Sequence, residues 1–361
     1  MKRWIAGAAA VCLAAVLTFP VRAISARQAI LLDAQTGRVL YEKNADRRGL
    51  IASTTKIMTA LLICEQCNVL DRVRIPEEAV GIEGSSMYLR SGEVLTVQEL
   101  LYGLMLRSGN DAAVALAIYC GGTVEEFVSR MNDKAHALGL TNTHFENPNG
   151  LDSENHYSTP RDLAILAAYA MENPIFAQTV STRSVRAGER VLQNHNKLLW
   201  QVDGADGVKT GYTKAAGRIL VSSATRDGRR LIAVTMDDSN DWQDHKQLLE
   251  EGFSRYCSTR FVTKGDVLGS LPVIGGECDR VELIAGADFC YSLADGESLT
   301  LSLGPRGFVY APVCAGEEAG EAYVLLGEKV VGKIPLYYGA PVERQTEEKK
   351  SLWERIGGLL P

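Results

Sequence analysis

The hydrophobic positions near the start of the chain form two short runs of the length of a β-strand. Apolar runs at residues 29–33 and 39–41 flank the turn-forming stretch 34–37, so the pattern predicts an antiparallel hairpin. Residues 218–225 and 230–236 repeat this arrangement on either side of a charged turn that contains Asp-Gly. Two predicted hairpins therefore supply the strands of an antiparallel sheet.

Between these hairpins the hydrophobic positions recur with the period of a helix. Thr96 and Glu99 have the spacing of a capping box, and an apolar stripe follows them from Val97 to Met105. Further helices are predicted at residues 50–63, 111–119, 124–138, 160–171 and 242–253. Strands first, helices in the middle, then strands and a last helix predict an α+β domain whose antiparallel sheet is covered by helices.

After about residue 260 the pattern changes to short apolar runs without a helical stripe. These runs lie at residues 281–284, 299–303, 308–310 and 323–326, and their spacing predicts a small all-β domain at 262–341. The tail 342–361 is charged at first, and its end places Leu352, Trp353, Ile356, Leu359 and Leu360 on one helical side. A short amphipathic membrane anchor and a disordered end are both compatible with this tail.

The N-terminus has the pattern of a secretory signal. Lys2 and Arg3 precede an apolar run at 4–19, and Val21-Arg22-Ala23 offers a cleavage site. We expect residues 1–23 to be a signal peptide, which makes the chain an exported protein with a first domain at 27–257. An uncleaved anchor or a core helix is the alternative.

Charge and cysteine content restrict the possible functions further. A net charge of -6 without a basic excess gives no indication of nucleic-acid binding. Of the eight cysteines, Cys12 lies in the predicted signal, which leaves an odd number of seven. Cys64 and Cys67 have redox or metal spacing, but no second pair or histidine cluster completes a site, so the spacing favours packing within a helix. The five histidines form no motif, and Trp200 and Trp242 are interpreted as core residues.

Ser53-Thr54-Thr55-Lys56 begins a predicted helix, so the hydroxyl and the amine lie on the same face, one turn apart. A serine needs a base to become a nucleophile. A buried lysine near a second cation can be that base, because both effects lower its pKa.

Two further motifs contain groups that complement this pair. In Ser108-Gly109-Asn110, the hydroxyl can relay a proton and the amide can hold the lysine and substrate. Ser153-Glu154-Asn155 also fits Ser-x-Asn, but Ser108 is preferred because it ends a predicted buried helix. In Lys209-Thr210-Gly211, the cation and hydroxyl suit a substrate carboxylate, and glycine lets substrate backbone approach.

The three motifs in this order form the signature of penicillin-recognising serine enzymes. The chain resembles the low-molecular-mass penicillin-binding proteins, the D-alanyl-D-alanine carboxypeptidases of the S11 serine peptidase type, from about Gln28 to Phe253. Besides the three motifs, the resemblance includes residues 32–37, Asn147 to Asp152 and Asp206 to Val208. It implies a β-lactamase/transpeptidase-like domain followed by a β-domain.

The resemblance also implies the roles of individual residues. Ser53 is expected to be acylated by the stem peptide or by penicillin, with Lys56 as its base and Ser108 in the proton relay. Asn110, Lys209, Thr210 and Gly211 are expected to bind substrate, and the N–H groups of Ser53 and Tyr212 to form the oxyanion hole. The expected partners are peptidoglycan stem peptides and β-lactams at the extracytoplasmic face of the membrane or in the cell wall. No metal or organic cofactor is expected.

Three other functions stay open. A class A β-lactamase is disfavoured because the stretch around Glu146 does not have the Glu-x-x-Leu-Asn pattern, and because of the extra β-domain. A D,D-endopeptidase shares the same motifs. A wall-binding protein without catalytic activity would not need Ser53 and Lys56, and both are present.

Overall fold

The computed structural model describes residues 23–304 and 307–346. The predicted signal segment, apart from Ala23, and the apolar end at 351–361 lie outside the described residues. Up to Arg255, the helices are α1 Lys56–Gln66, α2 Val97–Leu106, α3 Asn110–Gly121, α4 Val124–Ala137, α5 Pro160–Ala170, α6 Pro174–Ser181, α7 Leu198–Gln201 and α8 Asp241–Arg255. Over the same part, the strands are β1 Gln28–Asp33, β2 Val39–Lys43, β3 Arg72–Arg74, β4 Val94–Thr96, β5 Ser184–Ala187, β6 Arg190–Gln193, β7 Ala205–Thr213, β8 Gly217–Arg226 and β9 Arg229–Met236.

An antiparallel sheet of five strands organises this helix-containing part, in the order β2-β1-β9-β8-β7. Along β1, Ile30 and Leu32 pack into the large core with helices α1–α6, whereas Ala29 and Leu31 pack with α7 and α8 on the opposite face. This alternation follows from the two-residue period of a strand. The sheet therefore lies between two helical layers, which confirms the predicted α+β arrangement. Strand β7 forms one edge of the sheet.

The remaining strands form a C-terminal β-domain without helices among its described residues. They are β10 Tyr256–Val262, β11 Val267–Ile274, β12 Arg280–Ala285, β13 Phe289–Ala294, β14 Leu299–Leu303, β15 Val309–Tyr310, β16 Glu318–Leu326 and β17 Lys329–Tyr338. Six of them form the sheet β14-β16-β17-β12-β11-β15, and β10 pairs with β13. Its buried apolar residues form a cluster separate from those around the five-stranded sheet. The limits 27–257 and 262–341 remain predictions.

Several predicted elements are confirmed at close to their predicted positions. Thr96 and Glu99 form a reciprocal capping box at the start of α2. The β8–β9 hairpin turns through Asp227 and Gly228, both at positive φ, as a type I′ hairpin loop requires.

The predicted start of the helix at residues 50–63 is wrong. A short 3-10 turn occupies Ala52–Thr55, and α1 begins only at Lys56. Ala52 has a φ of +44°, a left-handed conformation that an α-helix cannot contain. Hydrophobic periodicity does not report the dihedral angle of one residue, so this interruption could not be predicted from the pattern.

A buried polar contact, which we call the hairpin cluster, joins the β1–β2 hairpin to the C-terminal β-domain. Asp33 is fully buried, and its Oδ2 accepts hydrogen bonds from Arg229 Nε at 2.8 Å and Ser292 Oγ at 2.6 Å. Arg38 donates to both carboxylate oxygens of Glu297, at 2.6 and 2.7 Å. These five residues connect the two parts through specific charged contacts.

No single helix among the described residues has the length and apolar character needed to cross a bilayer. Helices α3 and α4 pass that test only as a pair bent by 86°.

Candidate active site

Ser53 lies in the 3-10 turn immediately before α1 and lines a cavity of about 620 Å³. Ser108, Thr210, Gly211 and Tyr212 line the same cavity. Members of all three sequence motifs therefore meet at one cleft, although 55 residues and then about 100 separate the motifs along the chain.

Hydrogen bonds behind Ser53 hold the 3-10 turn that carries it. The hydroxyl of Thr55 donates to the Ala52 carbonyl at 2.8 Å and lies 2.7 Å from His156 Nε2. The amide of Glu146 donates to His156 Nδ1 at 3.0 Å, so the proton of this imidazole resides on Nε2 and is donated to Thr55. Burial lowers the pKa of His156 to about 4, which keeps the ring neutral and maintains this chain of hydrogen bonds.

Gly150 permits close packing against the same turn. A Cβ at this position would lie 1.9 Å from the Ala52 carbonyl oxygen, and its φ of +88° also favours glycine. Any larger residue at position 150 would displace the backbone that carries Ser53.

Lys56 is fully buried and its amine lies among neutral groups. Its Nζ lies 3.0 Å from Ser53 Oγ. It donates to Asn110 Oδ1 at 2.6 Å and to the Asn149 carbonyl at 2.5 Å. Burial lowers the pKa of Lys56 well below its ordinary value, and the charge of Lys209 lowers it further, although Asp111 acts in the opposite direction.

The loop that presents the Asn149 carbonyl is held by its own side chains. Asn147 Oδ1 accepts from the amide of Gly150 at 2.7 Å, and Asn147 Nδ2 donates to the Leu151 carbonyl at 2.9 Å. Thr59 of α1 donates to the Pro148 carbonyl at 2.6 Å. Residues 147–150 have the composition of a turn and belong to the family pattern. Neither signal predicts the contact with Lys56, because a backbone carbonyl leaves no trace in the residue type.

The second motif occupies the connection between α2 and α3. Ser108 has a φ of +60° and is mostly buried, and Asn110 is the first residue of α3. Asn110 Nδ2 donates to the Glu83 carbonyl at 2.5 Å, which fixes the amide that contacts Lys56. Asp111 accepts from the amides of Met87 and Leu89, at 3.1 and 3.0 Å, and so fastens the preceding loop to α3.

The third motif lies on β7, at the edge of the sheet, against the turn that carries Ser53. A Cβ on Gly211 would come within 3.3 Å of the backbone nitrogens of Ser53 and Thr54, so glycine allows the strand to run close to the turn. Lys209 is buried, and its Nζ donates to the Thr210 carbonyl at 2.8 Å. Burial lowers the pKa of Lys209 to about 7. We call Ser53, Lys56, Ser108, Asn110 and Lys209 the cleft cluster.

The rim of the cavity contains residues that sequence reasoning missed or assigned differently. The interpretation of Trp200 as a core residue is wrong, since Trp200 lines the cavity and is 47% exposed. Trp242 also lines the cavity, but it is partly buried and packs against the hydrophobic cluster beneath α8. Arg218 donates to both oxygens of the buried carboxylate of Asp241, at 2.8 to 3.0 Å. His195 also lines the cavity, and its pKa is lowered to about 4 by burial and by the charges of Lys209 and Arg107.

Glu146 and Ser153 are hydrogen-bonded to each other. The carboxylate of Glu146 accepts hydrogen bonds from Ser153 Oγ and from the amide of Asn155. Ser153 is not among the residues that line the cavity, whereas Ser108 is. The preference for Ser108 over Ser153 therefore agrees with the geometry.

The site thus combines a serine hydroxyl that lines the cavity, a buried amine in contact with that hydroxyl, and the edge strand β7. Among the described residues, no group of three or more His, Cys, Asp or Glu side chains is arranged to hold a metal ion. The chemistry that these groups support is nucleophilic acyl transfer, in which serine attacks a carbonyl and lysine moves the proton.

Comparisons with known proteins agree with this chemistry. A family model described as D-alanyl-D-alanine carboxypeptidase matches residues 15–240, and one for the C-terminal domain of penicillin-binding protein 5 matches residues 256–344. The D-alanyl-D-alanine carboxypeptidase DacF of Bacillus subtilis is 35% identical over 327 residues, which cover 86% of this chain and 84% of that protein. DacA of Escherichia coli K12 is 34% identical, covering 87% of this chain and 82% of that protein.

Among solved structures, penicillin-binding protein 5 from Haemophilus influenzae aligns with a TM-score of 0.79 and 31% identity. The alignment covers 90% of this chain and 99% of that one.

Proposed function

The chain belongs to the D-alanyl-D-alanine carboxypeptidase family of serine hydrolases, and we propose that Ser53 is the residue acylated in its reaction. The protein is a penicillin-binding enzyme that removes the terminal D-alanine of peptidoglycan stem peptides. The roles of individual residues in the following mechanism are our proposal.

The observation that carries this proposal is the arrangement of acceptors around Lys56. A neutral amine has two N–H groups and one lone pair. Two neutral carbonyl oxygens, of Asn110 and Asn149, accept from Nζ at 2.6 and 2.5 Å. The lone pair then faces Ser53 Oγ at 3.0 Å, where it can accept the hydroxyl proton.

In the acylation step, Lys56 takes the proton of Ser53 while Oγ attacks the carbonyl carbon of the penultimate D-alanine. The N–H groups of Ser53 and Tyr212 stabilise the oxyanion, because both backbones border the cavity close to Oγ. The C–N bond then breaks, and the leaving D-alanine receives the proton from Lys56 through Ser108. Water afterwards hydrolyses the Ser53 ester, with Lys56 taking the proton of the water.

Substrate binding uses the edge strand. The backbone of β7 pairs with the extended stem peptide, as an unpaired strand edge allows. The Thr210 hydroxyl binds the terminal carboxylate, and the Lys209 ammonium behind it contributes charge rather than a direct contact, because the Lys209 side chain is buried.

Glu146 favours a carboxypeptidase over a β-lactamase. Class A β-lactamases use a glutamate to activate the deacylating water, whereas Glu146 is held by Ser153 and Asn155. The penicilloyl ester should therefore persist. Slow, stoichiometric trapping of a chromogenic cephalosporin supports this interpretation, and rapid turnover would contradict it.

The decisive experiment combines mass spectrometry with a D-alanine release assay. Brief exposure to benzylpenicillin should add one penicilloyl group to the peptide that contains Ser53, and the protein should release D-alanine from a synthetic acyl-D-Ala-D-Ala peptide. Ser53→Ala should abolish both, while the control Ser153→Ala retains both. Labelling that survives Ser53→Ala would refute the assignment of the nucleophile.

A finer proposal concerns location. The substrate of the family lies outside the cytoplasm, and we propose that residues 1–23 direct export and that 351–361 contact the membrane surface. Removal of 351–361 should shift the protein from the membrane fraction to the soluble fraction without changing D-alanine release. An unchanged membrane fraction would rule out this anchor.

A further inference from the structure

Three exposed apolar side chains meet at one edge of the six-stranded sheet in the C-terminal β-domain. The rings of Phe308 and Tyr310 contact each other edge to face, with their centroids 5.4 Å apart. Ile274 is the partner of Tyr310 in the parallel ladder between β11 and β15. The three residues are 50%, 66% and 45% exposed, respectively. We call Phe308, Tyr310 and Ile274 the aromatic patch.

The two-residue period of the strands produces this patch. Val273 and Val309 are partners in the same ladder, and both pack in the apolar cluster of the β-domain. The residues next to them along the chain therefore point away from that cluster. Single exposed apolar side chains are common on protein surfaces, whereas apolar side chains that are exposed together indicate an interaction surface.

The C-terminal end of the described chain lies directly beside the patch. The amide of Gln345 donates to the Gly275 carbonyl at 2.9 Å, and Arg344 Nε donates to the Ala311 carbonyl at 3.2 Å. Each of these two acceptors directly follows a residue of the aromatic patch. The apolar residues of the C-terminal end begin at Leu352, and the seven residues from Gln345 to that position can span at most about 25 Å.

We propose that the aromatic patch is a membrane-contact surface whose side chains enter the interfacial region of a lipid bilayer. The inference rests on the proposed attachment of residues 351–361 to the membrane, because that attachment keeps the patch within about 25 Å of lipid. Such a tether raises the effective concentration of lipid at the patch, so a small apolar surface is sufficient for contact.

The chemistry of the patch fits the boundary between headgroups and acyl chains. Aromatic rings are favoured there, and tyrosine can keep its hydroxyl among the polar headgroups while its ring contacts the acyl chains. Strand β15 is the last strand of its sheet, and unpaired backbone groups at a sheet edge are not tolerated in the hydrocarbon core. Insertion should therefore be shallow and should involve side chains only.

The charges beside the patch do not favour one type of lipid. Glu343 and Arg344 are both exposed and have opposite signs. Contact through the patch should therefore depend on apolar area rather than on anionic lipid, and it should respond little to salt.

Vesicle sedimentation tests the patch. The protein isolated after export is incubated with phosphatidylcholine vesicles and with vesicles that also contain phosphatidylglycerol. The double variant Phe308→Ser/Tyr310→Ser should lower the partition coefficient by about tenfold or more on both vesicles. An unchanged partition coefficient, or a loss confined to the anionic vesicles, would overturn the proposal.

Val330→Ser is the matched control for this experiment. Val330 is as exposed as Phe308, but it lies on β17, whose neighbours in the sheet are β16 and β12 rather than the strands of the patch. This variant should bind vesicles like the wild type. A loss equal to that of the double variant would assign the effect to general surface hydrophobicity and refute the patch.

A truncation separates the patch from the C-terminal end. If removal of 351–361 leaves binding unchanged and the double variant still lowers it, the anchor fails and the patch stands. If both changes lower binding, both stand. If the truncation lowers binding and the double variant of the full chain does not, the anchor stands and the patch is refuted.

Fluorescence quenching provides a second readout that does not depend on a loss of binding. Tryptophan fluorescence of Phe308→Trp should be quenched more strongly by brominated phosphatidylcholine than that of the wild type, whereas Val330→Trp should show no added quenching. The residues of the patch do not line the catalytic cavity, so all these variants should keep wild-type D-alanine release. Equal quenching of the two tryptophan variants would contradict a contact through the patch.

Discussion

The cleft cluster and the hairpin cluster differ in whether their buried ionisable side chains contact a group of opposite charge. In the hairpin cluster, buried Asp33 is matched by Arg229 and by the Ser292 hydroxyl. In the cleft cluster, the described contacts of the Lys56 and Lys209 amines are with a hydroxyl and with neutral carbonyl oxygens, not with carboxylates. One cluster pairs its charges, whereas the other holds two lysine amines whose described hydrogen-bond partners are all neutral.

The consequence appears in the pKa shifts. Burial alone would raise the pKa of Asp33, but the hydrogen bonds from Ser292 and Arg229 outweigh it and lower the pKa. Nothing comparable compensates for the burial of Lys56, so its pKa falls. A paired buried charge stabilises a contact between two parts of the chain, whereas a buried amine without a carboxylate partner has a lowered pKa and can act as a base.

The largest effect is expected from Lys56→Gln. This change removes the base, and the acylation rate by benzylpenicillin should fall by about 1,000-fold or more. The rate is measured from quenched samples taken along the time course of acylation. The variant Lys246→Gln, at an exposed position, serves as the control and should keep wild-type kinetics. A fall of less than about tenfold would mean that another group activates Ser53.

Asp33→Ala is the corresponding test of the paired cluster. It leaves Arg229 buried without its carboxylate and should lower the free energy of unfolding by about 3–5 kcal/mol. Urea unfolding measures the loss, and acylation by penicillin per folded molecule should be unchanged. Glu297→Gln, at the more exposed ion pair with Arg38, should cost only about 1 kcal/mol. Equal costs for the two variants would contradict the distinction between buried and half-exposed pairs.

A smaller effect is expected at His156, which reaches the nucleophile only through Thr55. His156→Phe removes the donor to Thr55 and the acceptor for the Glu146 amide, and should slow acylation by about tenfold. Because the ring is neutral above pH 5, the reduction should be the same at pH 6 and pH 8. His144→Gln serves as the control. His156→Gln restores a donor to Thr55. If this variant recovers part of the acylation rate, the effect of His156→Phe comes from the lost hydrogen bond rather than from altered packing.

The smallest expected effect is a shift in the pH profile of Lys209→Met. The charge of Lys209 lowers the pKa of Lys56, so its removal raises that pKa. Acylation requires neutral Lys56, and the acidic limb of the profile should therefore move to higher pH, whatever happens to the maximal rate. A limb at the wild-type position would indicate that Lys209 does not influence the base electrostatically.

Periodicity and motif order predicted much of the fold because those signals are local. The two hairpins, the capping box and helices α3, α4, α5 and α8 needed only neighbouring residues for their prediction. Strands such as β11, which includes Gly269 and Pro272, were missed because their short runs gain stability from partner strands rather than from their own pattern.

The sequence by itself determined the α+β class, the three motifs and hence Ser53, Lys56 and Ser108 as candidates. Tertiary structure alone decided that the Asn149 carbonyl meets Lys56 and that Trp200 lines the cavity. These contacts join residues that are distant along the chain, and they involve backbone atoms or single dihedral angles. A residue type specifies what a group can do, but burial and neighbours specify its pKa, and only the folded chain provides these.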